Sequence, residues 1–113
     1  MVGEGVDSGV LEVIRRVVVE EAGELGLGVE RIILFGSRAR GEARPGSDYD
    51  ILVVVKGQVR RDEKRKLSAR IRWRLAEMLM PADIIVVEEE AWRTYKSVVG
   101  HLFYTVREEG VPV

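Results

Sequence analysis

The sequence predicts an α/β (α+β) domain, a small mixed β-sheet with helices packed on it. Three observations lead there. Helix-period and strand-like segments alternate in the order α-β-α-β-α-β-α-(β). Hairpin signals between strand-like runs are few, so helices rather than tight turns join the strands. Apolar residues make up 46% and charged residues 33%, enough to fill one core and too apolar for disorder. At 113 residues the expectation is a single domain, residues 1–113. A chain of this size buries roughly two thirds of its unfolded surface.

The elements follow in order. From Ser8 to Leu25, the residues Leu11, Ile14, Val18, Ala22 and Leu25 recur at helical spacing. Asp7 or Ser8 can cap this helix, and Gly26 or Gly28 can end it. Val29 to Phe35 is a β-rich run that stops at a glycine. Residues 36–47 combine a helix start with a turn-rich loop. Ile51 to Val55 is apolar at every position, as expected of a strand covered on both faces. A long helix spans Arg61 to Met80, with Leu67, Ile71, Leu75, Met78 and Leu79 as its apolar stripe and Pro81 closing it. Ile84 to Val87 reads as a third buried strand. Trp92, Tyr95, Val99, Leu102, Phe103 and Val106 mark a helical region interrupted near Gly100, with Trp92, Tyr95 and Phe103 at core positions. Val111 to Val113 can add an edge strand.

Composition excludes several classes of function. Lys plus Arg number 18 and Asp plus Glu 19, a net charge of −1, which rules out a general nucleic-acid coat or polybasic membrane binder. There is no cysteine, hence no disulfide, thiolate metal site or cysteine nucleophile. No apolar run approaches the roughly 20 residues needed to cross a bilayer. The opening Val2-Gly3-Glu4-Gly5 lacks the basic and hydrophobic regions of a secretory signal, so a cytoplasmic location is expected. Asparagine is absent, glutamine occurs once, and arginine outnumbers lysine 14 to 4, a thermophile tendency.

Three features carry chemistry. Gly36-Ser37 lies directly after a strand and before a helix start, where a glycine lets the backbone approach a ligand and first-turn amides attract phosphate. Taken singly, the pair reads as a turn. Asp48-Tyr49-Asp50 enters the next strand, and alternation puts both carboxylates on one face about 7 Å apart. They repel each other unless a cation lies between them, and Mg²⁺ prefers such oxygen ligands together with substrate phosphates. The structural alternative is a solvated turn. Asp83, between Ala82 and an apolar strand, is costly to bury unless paired, hydrogen-bonded or metal-bound. By itself it reads as a turn or cap.

Together, Gly36-Ser37, Asp48-x-Asp50 ten residues further on, and the strand-borne Asp83 resemble the nucleotidyltransferase superfamily that includes DNA polymerase β. Gly36-Ser37-Arg38-Ala39-Arg40-Gly41 through Ser47-Asp48-Tyr49-Asp50-Ile51 looks most like the minimal nucleotidyltransferase branch. The motif proper covers residues 36–51, and the element order extends the likeness from about residue 8 to the C-terminus. The resemblance implies a polymerase β-like palm in which Gly36 and Ser37 hold the triphosphate, assisted by Arg38 or Arg40. It also implies that Asp48, Asp50 and Asp83 are catalytic and hold two Mg²⁺ ions, Asp83 also accepting a proton. The implied reaction transfers a nucleoside monophosphate, AMP from ATP in the first instance, to a hydroxyl and releases pyrophosphate.

Minimal nucleotidyltransferases of this kind are often encoded beside small helical HEPN proteins. The resemblance therefore implies an antitoxin that modifies a HEPN-type toxin. The HEPN signature, Arg four to six residues before His, is not met: seven residues separate Arg93 from His101. This chain would be the transferase half of such a pair. Two alternatives stay open: a non-catalytic module that neutralises a helical toxin by contact, and a transferase acting on RNA or a small molecule, with a homodimer building the cleft.

Charge placement bears on partners. Lys56 to Arg74 carries nine basic residues against Asp62 and Glu63, +7 in a chain of net −1. Such asymmetry can steer an acidic partner or RNA, or can be a solvated helix face. Trp73 lies roughly 200° around the helix from Ile71, opposite the apolar stripe, where it can serve as an interface anchor or tuck under the loop before the helix. His101 falls off the stripe of Val99, Leu102 and Val106, which points to a surface or hydrogen-bonding role. Ser37 has no histidine at a suggestive spacing, which disfavours a serine hydrolase.

Overall fold

The computed structural model describes residues 6–113; the acidic opening Val2 to Gly5 lies outside them. The chain forms α1 (Ser8–Glu24), β1 (Val29–Phe35), α2 (Ser37–Arg40), β2 (Tyr49–Val55), α3 (Arg61–Glu77), β3 (Ala82–Glu88), α4 (Glu89–Tyr95), α5 (Leu102–Glu109) and β4 (Val111–Pro112). The four strands make one mixed sheet in the order β3-β2-β1-β4. β1 runs antiparallel to β2 and β4, and β2 runs parallel to β3 across the α3 connection.

Two apolar layers flank the sheet. One face carries α1 and α3, with Ile14, Val18, Leu67, Ile71 and Leu75 packed on Leu34, Ile51, Val53 and Val55. The other carries α4 and α5, with Trp92, Phe103 and Val106 on Ile33, Leu52, Val54 and Val87. β2 is the spine of both: Ile51 to Val55 are all fully buried, as a strand apolar at every position requires. The Asp7 carboxylate accepts from the Gly9 amide at 2.7 Å and caps α1.

Four sequence expectations need correction. α3 ends at Glu77 rather than Met80, because Leu79 adopts φ 60° and turns the chain left-handed before Pro81. Met78 and Leu79 therefore leave the apolar stripe and are exposed. β3 is not a buried strand but a sheet edge, where only Ala82 and Val87 are buried. The C-terminal region breaks over residues 96–101, with Gly100 at φ 93°, and this turns Tyr95, Val99 and Leu102 out of the core while Trp92 and Phe103 stay in. His101 caps α5, its Nδ1 accepting from the Phe103 amide at 3.0 Å with its ring stacked on Tyr95.

Part of the positive charge of α3 is spent internally, while Arg61, Arg65, Lys66 and Arg72 stay exposed. Arg70 pairs with Glu21 at 2.6 Å and with Glu24, and Arg74 pairs with Glu20 at 2.9 Å and Glu21 at 3.0 Å. These contacts bolt α3 to α1. Burial pushes the Glu21 carboxyl up, but the bonds and charges of Arg70 and Arg74 outweigh it and hold the group below its ordinary value. Among the described residues no helix is long and apolar enough to cross a membrane.

Candidate active site at the acidic end of the sheet

Topology gathers the motif residues at one end of the sheet. β2 and β3 are parallel, so their N-terminal ends lie together, and antiparallel β1 brings its C-terminal end to the same place. Asp50 stands in register with Asp83 on one side and Phe35 on the other. Side chains of in-register neighbours share a face, so Asp50 and Asp83 project on the α4/α5 side, as Leu52 and Val87 do further along. Asp48 precedes β2 by one residue, two positions from Asp50. Tyr49 between them packs on the α1/α3 side.

The electrostatics agree with this convergence. Partial burial raises the Asp50 carboxyl above its ordinary value, and the charges of Asp83 and Asp48 raise it further, with Arg40 opposing. Among the described residues none of the three aspartates forms an ion pair. Such a cluster is held together by the fold against its own repulsion.

The glycine turn is fitted to it. Gly36 has φ 75° and ψ −159°, a conformation essentially reserved for glycine. A Cβ at this position would lie 2.2 Å from an Asp50 carboxylate oxygen, so only glycine admits the acid beside the turn. Ser37 opens α2, whose first amides have no intrahelical acceptor and which no side chain caps among the described residues.

The two arginines of the motif part company. Arg40 is exposed, bonded to Glu42 at 2.8 Å, and within electrostatic reach of Asp50 and Glu109. Arg38, expected at the phosphates, is turned to the opposite side. Its Nε and Nη2 donate to the Ser47 carbonyl at 3.2 and 2.9 Å, and its guanidinium lies 4.4 Å from the Tyr49 ring centroid. A cavity of about 270 Å³ lies behind this pair, lined by Leu34, Val10 and Ala43 among others, and none of the three aspartates borders it.

Carboxylate oxygens are the donor chemistry that a hard divalent cation prefers. Among the described residues they do not close into a finished three-ligand cage. Mg²⁺ does not require one, since it keeps waters and takes phosphate oxygens beside one or two carboxylates.

A family model described as a nucleotidyltransferase domain matches residues 14–104, most of the chain and all of this site. The chain belongs to the nucleotidyltransferase domain family. A solved crystal structure from Sulfolobus solfataricus, provisionally described as a nucleotidyltransferase, is similar to it at 26% identity and a TM-score of 0.58, over 90% of this chain and 77% of that one. No curated protein sequence matches significantly. Nucleotidyl transfer is thus the activity class of this nucleotidyltransferase.

The motif spacing did not reveal Glu109 and Gly110. β4 pairs with β1, setting Val111 opposite Leu34 and bringing the end of α5 beside the glycine turn. A Cβ on Gly110 would lie 2.3 Å from the Ile33 side chain and 2.4 Å from the Val106 carbonyl. A glycine directly after a helical run was the only signal, and that more commonly marks a plain helix stop.

Proposed function

We propose that this nucleotidyltransferase transfers AMP from ATP to a hydroxyl on a partner protein, with pyrophosphate leaving. The observation that best supports this is the in-register pair Asp50 and Asp83 at the sheet end, with Asp50 packed against Gly36. Gly36 and Ser37 would receive the triphosphate on open amides and the Ser37 hydroxyl. Arg40 would exchange Glu42 for a phosphate oxygen. Asp48, Asp50 and Asp83 would hold Mg²⁺, which when bound neutralises phosphoryl charge and acidifies an attacking hydroxyl. Asp83 is exposed and Asp50 half-buried, so Asp83 is the acid better placed to take that hydroxyl's proton from an incoming acceptor.

The openness of the site favours a large acceptor, since Asp48 and Asp83 both face solvent. The likeness to the minimal branch supports a small helical HEPN-type protein, with this chain as the antitoxin of the pair. The test is incubation with Mg²⁺, α-phosphate-labelled ATP and the protein encoded by the adjacent reading frame. Label and an AMP mass increment on that protein are expected, and none with Asp50→Asn. Absence of transfer from every nucleoside triphosphate contradicts the proposal.

A second reading is favoured by one observation: Trp73 is 70% exposed on α3, beside exposed Lys66. Here the chain neutralises a helical toxin by contact alone. Trp73→Ala then abolishes protection while Asp50→Asn preserves it, the reverse of the catalytic expectation.

A further inference from the structure

We propose that Arg38 is a positioning residue that fixes Asp48 by holding its two neighbours, the Ser47 carbonyl on one side and the Tyr49 ring on the other. The inference rests on reading Asp48, Asp50 and Asp83 as a cation-holding set. Asp48 stands outside β2, so the strand ladder does not hold it. The segment leading to it, residues 41–48, has no helix or strand. What holds Asp48 is its neighbours. Arg38 donates two hydrogen bonds to the carbonyl of Ser47, the residue before, and lies over the ring of Tyr49, the residue after. The Ser47 hydroxyl accepts from the Arg44 amide at 2.9 Å, and the Tyr49 amide donates to the Pro81 carbonyl at 2.9 Å, two residues before Asp83.

The chemistry suits arginine alone. Two N–H groups of a rigid planar fork on one carbonyl fix its direction, and the same plane lies against an aromatic face; a lysine ammonium is a point charge without that fixed fork. Arg38 is also the second residue of α2, directly after Gly36-Ser37. Its side chain ties the glycine turn and the first aspartate into one unit. Because Arg38 sits on the Tyr49 side, away from Asp50 and Asp83, it acts through Asp48 and does not touch substrate.

The test measures Mn²⁺ binding by electron paramagnetic resonance on the full chain with ATP, alongside tripolyphosphate binding in EDTA. Arg38→Lys is expected to weaken Mn²⁺ binding by about tenfold or more, the usual effect of losing a group that orients a metal ligand. Tripolyphosphate binding should stay unchanged. In an Asp48→Asn background, Arg38→Lys should add no further loss, because both changes act on one element. Tyr49→Phe should bind as wild type does, and Tyr49→Leu, which keeps the fork but removes the ring, should lose Mn²⁺ affinity by a smaller factor. That variant also carries the test if Arg38→Lys fails to fold. Weakened tripolyphosphate binding makes Arg38 a phosphate ligand and overturns the proposal, as do unchanged Mn²⁺ affinity or additive losses with Asp48→Asn. A wild type that binds no Mn²⁺ overturns the cation reading and this proposal with it; wild-type binding matched by Arg38→Lys overturns this proposal alone.

Discussion

Two carboxylate clusters in this molecule meet opposite fates. On α1, Glu20, Glu21 and Glu24 are met by Arg70 and Arg74 of α3, and Glu21 is held below its ordinary pKa despite burial. At the sheet end, Asp48, Asp50 and Asp83 form no ion pair among the described residues, and burial with the charges of Asp83 and Asp48 pushes Asp50 above its ordinary pKa. The first cluster is internally neutralised and serves to join two helices. The second forms no ion pair, and although Arg40 opposes its charge, negative charge is left for something from outside to balance. Acids of similar chemistry thus differ in whether the chain supplies their counter-charge, and that difference marks the second cluster as the working one.

The comparison can be broken in several ways. The largest expected effect is on catalysis: Asp50→Asn should lower label transfer by about a thousandfold or more, the scale of losing one group that organises transition-state charge. The same variant should raise the melting temperature in metal-free buffer, because it relieves repulsion. Gly36→Ala should come next, costing about 1–3 kcal/mol for the forced backbone alone. Its Cβ would also displace the Asp50 carboxylate, so activity should fall further than the denaturation curve implies. Glu21→Gln should do the reverse of Asp50→Asn, lowering the melting temperature while leaving transfer intact.

The smallest effect is in pH. Asp50 has a raised folded pKa, so its favourable contribution is present below the ordinary aspartate value and lost as pH rises through the folded one. Glu21 has a depressed pKa, so its contribution is present above the ordinary glutamate value and lost as pH falls through the folded one. Acidification should therefore shrink both differences from wild type: the gain from Asp50→Asn and the loss from Glu21→Gln. Melting curves across mildly acidic pH would show it.

Much of this was legible in the sequence. β1 matched its expected bounds, and β2 gave itself away as an unbroken apolar run that only a central strand could bury. The acid pair was visible as an Asp-x-Asp spacing at the entrance to a strand, although Asp48 itself lies one residue outside β2. Asp83 needed the register of β3 against β2, which no local pattern carries. Arg38 and Arg40 could not be told apart for a similar reason: neighbouring motif arginines look alike in sequence, and only the fold of residues 41–48 sets one against the Ser47 carbonyl. Glu21 was invisible as a buried acid because its partners lie 49 and 53 residues away. The end of α3 was overestimated because Met78 and Leu79 continue the apolar spacing, while a left-handed residue breaks the helix.

The most direct test compares melting temperatures in EDTA and in Mg²⁺ for wild type, Asp50→Asn and Glu21→Gln. A cation bound only to the folded chain stabilises it by mass action. Mg²⁺ is expected to raise the transition of wild type and Glu21→Gln alike and to leave Asp50→Asn unmoved. An equal rise in Asp50→Asn, or none in wild type, would contradict it.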